Sequence, residues 1–131
     1  MYIHLKIISI LLMLLALLHI GFPKYFNWKK ELIGLSLINK QMMKIHTFFI
    51  AFVVFLIGLL CYTETNSIIE TKLGNKIALG LGVFWLVRLF FQFFVYSSKL
   101  WKGKKFETMM HIVFTGLWIY LSTVFLIIYF N

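Results

Sequence analysis

Three of the four histidines in this 131-residue chain fall at one expected end of its apolar stretches. His19 closes the first stretch, His46 opens the second and His111 opens the last, while Arg88 lies inside the third. Ionisable groups are costly in hydrocarbon, so they turn toward the protein interior and mark candidate sites. Three imidazoles at one depth form a donor set for a metal, and two of them are enough to ligate haem b axially. Met42 and Met43 precede His46, and Met109 and Met110 precede His111. Thioether plus imidazole suits Cu(I) or a His/Met haem. The spacing itself is not diagnostic, since the chain lacks His-x3-His, Glu-x-x-His and Cys-x-x-Cys-His. The plainer reading makes the three histidines hydrogen-bonding groups at the membrane interface, with His4 an interfacial residue at the other surface. Both readings stand on the sequence.

Arg88 is harder to dismiss. It stands twelve residues after Lys76 and eleven before Lys99. At ~1.5 Å rise per residue this puts it near mid-membrane, ~17 Å from either flank. An arginine there costs at least ~2.5 kcal/mol. No acidic residue lies in any apolar stretch to pair with it. Trp85, Arg88, Gln92 and Tyr96 share one helical face, and form the expected polar intramembrane site. Its five donors need backbone carbonyls, Gln92, Tyr96, water, a partner's acid, or an anionic group such as a headgroup, carboxylate or haem propionate.

The other stretches carry comparable stripes. Ser9, Ala16 and His19 align on the first, and Thr47, Ala51, Gly58 and Cys61 on the second beside His46. His111, Thr115, Trp118 and Ser122 align on the fourth. Gly74, Ala78 and Gly82 give the third a small-xxx-small pattern, which lets helix backbones approach closely in lipid. The bland reading is that these are the packing faces of a helical bundle.

The elements that must position these groups follow from composition. Hydrophobic residues make up 62% and charged residues 13%, too apolar for a water-soluble chain of this length to hide. Lipid is the expected solvent. One cysteine, Cys61, excludes an internal disulfide and a thiolate cluster, and reads as a small packing residue. The net charge of +9 does not mark a nucleic-acid binder, because the lysines cluster between apolar stretches. Walker loops, Gly-x-Ser-x-Gly and dinucleotide fingerprints are absent. Acid–base chemistry would fall to the histidines, with Glu31 or Glu107 in support.

The expectation is therefore a single all-α domain over 1–131, a four-helix transmembrane bundle with spans at about 2–22, 45–62, 76–97 and 110–130. Pro23 is expected to end the first span. A signal peptide is the competing reading of that span, but no small-x-small cleavage site follows it. The first connection holds Lys24, Lys29, Lys30, Lys40 and Lys44 against Glu31, a net +4. The second sets Lys72 and Lys76 against Glu64 and Glu70, and the third sets Lys99, Lys102, Lys104 and Lys105 against Glu107 for +3. The positive-inside rule then puts the first and third connections in the cytoplasm and both termini outside, against the mild dissent of Lys6. Within the first connection Trp28, Leu32, Leu35, Ile38, Met42 and Ile45 recur at helical spacing, predicting an interfacial amphipathic helix over 28–44 with Asn27 as its N-cap.

Two half-chains echo one another. Trp28-Lys-Lys-Glu31 leads to Gln41-Met-Met-Lys-Ile-His46, and Trp101-Lys-Gly-Lys-Lys105 leads to Glu107-Thr-Met-Met-His111. A parallel repeat of two hairpins and shared interfacial composition both account for this. The run Pro23-x4-Trp28-x2-Glu31-Leu32-x2-Leu35-Ser36-x2-Asn39-x-Gln41-x4-His46, with Phe84-Trp85-x2-Arg88-Leu89-x2-Gln92-Phe93-Phe94, resembles a group of small uncharacterised bacterial multi-pass integral membrane proteins. That resemblance, from His19 to about Tyr120, implies the bundle and a bacterial cytoplasmic membrane, and no reaction or ligand.

Three functions follow as expectations. The leading one is a non-enzymatic accessory or structural protein whose bundle binds membrane lipid, a membrane-protein partner or a second copy. The next is a small redox protein holding haem b through two of His19, His46 and His111. The last is a small-anion carrier centred on Arg88.

Overall fold

The computed structural model describes residues 1–131, apart from the side chain at position 98. Its described residues are mostly helical, with α1 at Tyr2–Leu18, α2 at Phe22–Tyr25, α3 at Trp28–Glu31, α4 at Leu37–Thr63, α5 at Thr65–Glu70, α6 at Lys72–Phe94 and α7 at Lys105–Phe130. Four stretches are long and apolar enough to cross a membrane: Tyr2–Tyr25, Leu37–Thr63, Lys72–Phe94 and Lys105–Phe130. By length and composition this is an all-helical multi-pass membrane protein. Large apolar side chains such as Phe48, Phe49, Phe52, Phe93 and Phe94 stand exposed, as they must where lipid is the solvent.

Besides α7, which starts at Lys105 rather than near Met110, the helix boundaries differ from the sequence expectation in three places. Pro23 does not end the first span. A 3-10 turn at His19–Gly21 tightens the chain, and Pro23 sits in the first turn of α2, where its missing N–H leaves no bond unmade. The continuous helix expected over 28–44 does not form either. Trp28–Glu31 is a single turn, Leu32–Leu35 turns, and the Ser36 side chain accepts from Asn39 N–H to start α4 eight residues before the expected Ile45. Asn27 precedes α3, but its side chain makes no cap bond and its φ is 54°. The third correction is α6, which starts at Lys72 under a Thr71 cap on Gly74 N–H and stops at Phe94.

The chain divides into two compact units, residues 3–65 and residues 1–2 with 66–131. In the first, the buried positions of α4 are Val54, Gly58 and Cys61, continuing the stripe that Thr47 and Ala51 begin. Gly58 lets α4 approach α1, since a Cβ there would lie 3.0 Å from the Ser9 carbonyl oxygen and from Met13 Cγ. Ser9 is fully buried and turns its hydroxyl back to the Lys6 carbonyl. Lys6 in turn donates to the Tyr62 carbonyl oxygen at 2.6 Å and lies over the Tyr62 ring.

In the second unit α6 and α7 form the main pair. Gly74, Ala78, Gly82, Trp85 and Gln92 are the buried positions of α6. At Gly82 the helices approach closely, since a Cβ would fall 2.8 Å from Leu126 Cγ and Cδ2. The buried α7 face runs through Trp118, Leu121, Ser122, Val124, Phe125 and Ile128. Ser122 keeps its hydroxyl satisfied within α7 by donating to the Trp118 carbonyl at 2.8 Å, as a polar group in lipid requires.

Candidate functional site

Because α6 ends at Phe94, Arg88 lies six residues from the end of its helix, closer to the connection than the expected mid-span position. His111 lies six residues into α7, which begins at Lys105. The α6–α7 hairpin thus brings the two to corresponding depths, and Gln92, one turn beyond Arg88, bridges them.

The bridge is a directed chain. Arg88 Nη1 donates to Gln92 Oε1 at 3.4 Å, and Gln92 Nε2 lies 2.9 Å from His111 Nδ1. A guanidinium only donates, so the Gln92 oxygen faces it and the Gln92 amide N–H faces the imidazole. Nδ1 of His111 therefore accepts, and Nε2 carries the ring proton of the neutral tautomer. The other side of the imidazole is covered by Trp101, stacked at 4.5 Å between centroids and 21° between planes. Trp101 is itself fixed to the start of α7 through its carbonyl, which accepts from Thr108 Oγ1 at 2.6 Å.

The Arg88 guanidinium rests on rings. It lies 5.1 Å from the Trp118 centroid and 5.2 Å from that of Tyr96. Each contact contributes ~0.5–2 kcal/mol, depending on desolvation. Trp118 stacks in turn on Trp85 at 5.0 Å with 8° between planes, and on Phe114 at 5.6 Å. Trp85 and Trp118 are 3% and 4% exposed. Their Nε1 atoms, and Thr115 Oγ1 one turn before Trp118, are buried without a hydrogen-bond partner among the described residues. A buried unpaired donor costs ~1–3 kcal/mol. Around Arg88 the hairpin thus gathers a cation and two unpaired indole N–H groups, and no carboxylate.

Of the expected polar site, Trp85, Arg88, Gln92 and Tyr96 do assemble, and Tyr96 contributes from a half-exposed position beyond the end of α6. Three further members reach the site from α7 and the connection: His111, legible as a candidate ligand, Trp118, legible as a packing residue, and Trp101, legible only as part of the half-chain echo. Spacing cannot show this, because the hairpin's register decides it.

The expected histidine set is distributed differently. His19 lies in the 3-10 turn of the other unit, its Nδ1 2.8 Å from the Leu15 carbonyl oxygen and its ring 4.6 Å from Phe22. It lines a cavity of about 160 Å³ with Trp28, Lys44 and Thr47. His46 does not open its span. It sits more than two turns inside α4 and on its exposed side, next to the less exposed Thr47. Among the described residues, no three His, Cys, Asp or Glu side chains form a group that could hold a metal ion.

The chain matches no family model, no curated protein and no solved structure.

Proposed function

We propose that this is a non-enzymatic protein of a bacterial cytoplasmic membrane, with both termini outside, which binds an anionic group of a membrane partner at the α6–α7 hairpin. The observation that carries the reading is Arg88. It is a half-buried cation in an apolar helix whose recorded partners are all neutral: Gln92, Tyr96 and Trp118. Breaking even in hydrocarbon normally takes a counter-charge, and the chain supplies none between Glu70 and Glu107. A carboxylate accepts two parallel bonds from a guanidinium and would supply the missing counter-charge. The lysine-rich first and third connections support the orientation.

The test is crosslinking in the native membrane. A photoreactive phenylalanine analogue at Phe91, exposed and one turn from Arg88 on α6, should give a defined adduct in the wild-type background and lose it with Arg88→Gln. An adduct that survives Arg88→Gln counts against the reading. Orientation is checked separately, with Cys61→Ala as background. A cysteine at Lys102 should resist an impermeant label outside intact cells, and one at Ser67 should react.

The haem alternative draws less from this geometry. Axial ligation uses an imidazole nitrogen lone pair, and the usual support is an N–H on the opposite nitrogen donating to an acceptor. In the Arg88–Gln92–His111 chain the direction is the reverse, with the hydrogen on Nε2. The anion-carrier reading shares the Arg88 site, and differs in requiring uptake by proteoliposomes that Arg88→Lys would lower.

A further inference from the structure

The face of α7 turned away from this site has its own character. Lys105, Met109, Ile112 and Gly116 recur at spacings of four, three and four, so they form one stripe along the helix. Met109, Ile112 and the adjacent Val113 are 52%, 64% and 52% exposed, and a Cβ at Gly116 would meet no atom within 4 Å. A groove of about 490 Å³ opens at the upper part of this stripe, with Gly103, Lys104 and Lys105 at one end and Met109, Ile112 and Val113 along the other. Gly103 makes the bend that brings Lys104 to the mouth. Its φ is 77°, a conformation a side chain would strain, and nothing crowds it.

We propose that this groove docks an anionic phospholipid, its phosphate between Lys104 and Lys105 and the upper part of an acyl chain along Met109, Ile112 and Val113. The volume falls in the range of sites that hold a ligand group, and the gradation from two ammonium groups to bare hydrocarbon along one helix face is that of such a lipid. Charge decides the class. Lys99 and Lys102 lie in the same connection, which carries +3, so a net-negative headgroup is favoured over a zwitterionic one. The bare hydrocarbon wall of Met109, Ile112 and Val113 argues for a lipid over a free anion. Thr108 lines the groove as well and also fixes Trp101 beside His111, but Arg88, Gln92 and His111 themselves do not line it.

The experiment is native mass spectrometry of the full chain from neutral detergent, with phosphatidylglycerol and phosphatidylcholine added in equal amounts. The wild type should retain phosphatidylglycerol preferentially. Lys104→Gln with Lys105→Gln should weaken that preference about thirtyfold, at ~1 kcal/mol for each lysine near the charged group. Ile112→Trp, which fills the apolar end from an exposed position, should lower occupancy with helix content unchanged. Arg88→Gln should leave lipid retention intact while abolishing the crosslink at Phe91, so the two proposals fail separately. Equal retention of both lipids would overturn the groove proposal. So would an equal loss from Lys99→Gln with Lys102→Gln, which would mean diffuse charge. Inorganic phosphate displacing the lipid at comparable concentration would mark a free-anion site instead, and would also overturn it.

Discussion

Gln92 donates from Nε2 to His111 Nδ1 across 2.9 Å, and the direction of that bond is set by a third residue, Arg88, which can only donate. Turning the amide over would aim its NH2 at the guanidinium and leave two donors facing each other. The ¹⁵N spectrum of His111 should therefore show an unprotonated Nδ1 and a protonated Nε2. Gln92→Glu replaces the donor with a second acceptor, so the ring proton should move to Nδ1. A wild-type signal for Nδ1–H would overturn the assigned direction.

The proposed binding role of Arg88 carries an expectation for stability. Arg88→Met removes a charge that no carboxylate offsets and keeps an apolar stem against Trp118. The unfolding midpoint in detergent should be unchanged or higher, while the Arg88-dependent crosslink disappears. A loss of 2 kcal/mol or more, on the order of breaking a buried network, would instead make Arg88 a structural keystone.

What the sequence showed well was the set of spans, because ~20 apolar residues between lysine clusters leave few alternatives. It also aligned Trp85, Arg88 and Gln92, since one helix's own period places them together, whereas Tyr96 joins them from beyond the end of α6. It did not show that His111 joins them, because that depends on where α6 stops and how α7 returns. The connection near Ser36 was misread for a local reason. The apolar period from Trp28 to Ile45 is real, but Gly34 and the Ser36–Asn39 cap break the backbone beneath it. His46 was placed at a helix start by the same error. With α4 beginning at Leu37, His46 lies more than two turns inside the helix, on the exposed side and beside the expected Thr47–Cys61 stripe.

The two tryptophans separate packing from polarity. Trp118→Phe keeps a ring against Trp85 and beneath Arg88 and deletes an N–H that has no partner. Its cost should stay under ~1.5 kcal/mol, because one unpaired donor is removed along with some area. Trp118→Ala should cost ~3–5 kcal/mol. Thermal unfolding of the two variants in one detergent measures the difference. Equal losses would show that the indole N–H is paired in the membrane.

Gly80 and Gly82 lie on the same helix and should respond oppositely to alanine. At Gly82 the new methyl would fall 2.8 Å from Leu126 Cγ and Cδ2 and 3.2 Å from its backbone N, so α6 and α7 must separate or Leu126 must leave its rotamer. Overpacking of this kind costs ~1–3 kcal/mol. At Gly80 a methyl meets nothing within 4 Å, and alanine favours the helix by up to ~1 kcal/mol. Gly82→Ala should therefore lower the unfolding midpoint and weaken the Arg88-dependent crosslink, since the hairpin register that aligns Gln92 with His111 is disturbed. Gly80→Ala should raise the midpoint and leave the crosslink alone. If both changes lowered stability alike, the close approach of α6 and α7 at Gly82 would not be what holds the hairpin in register.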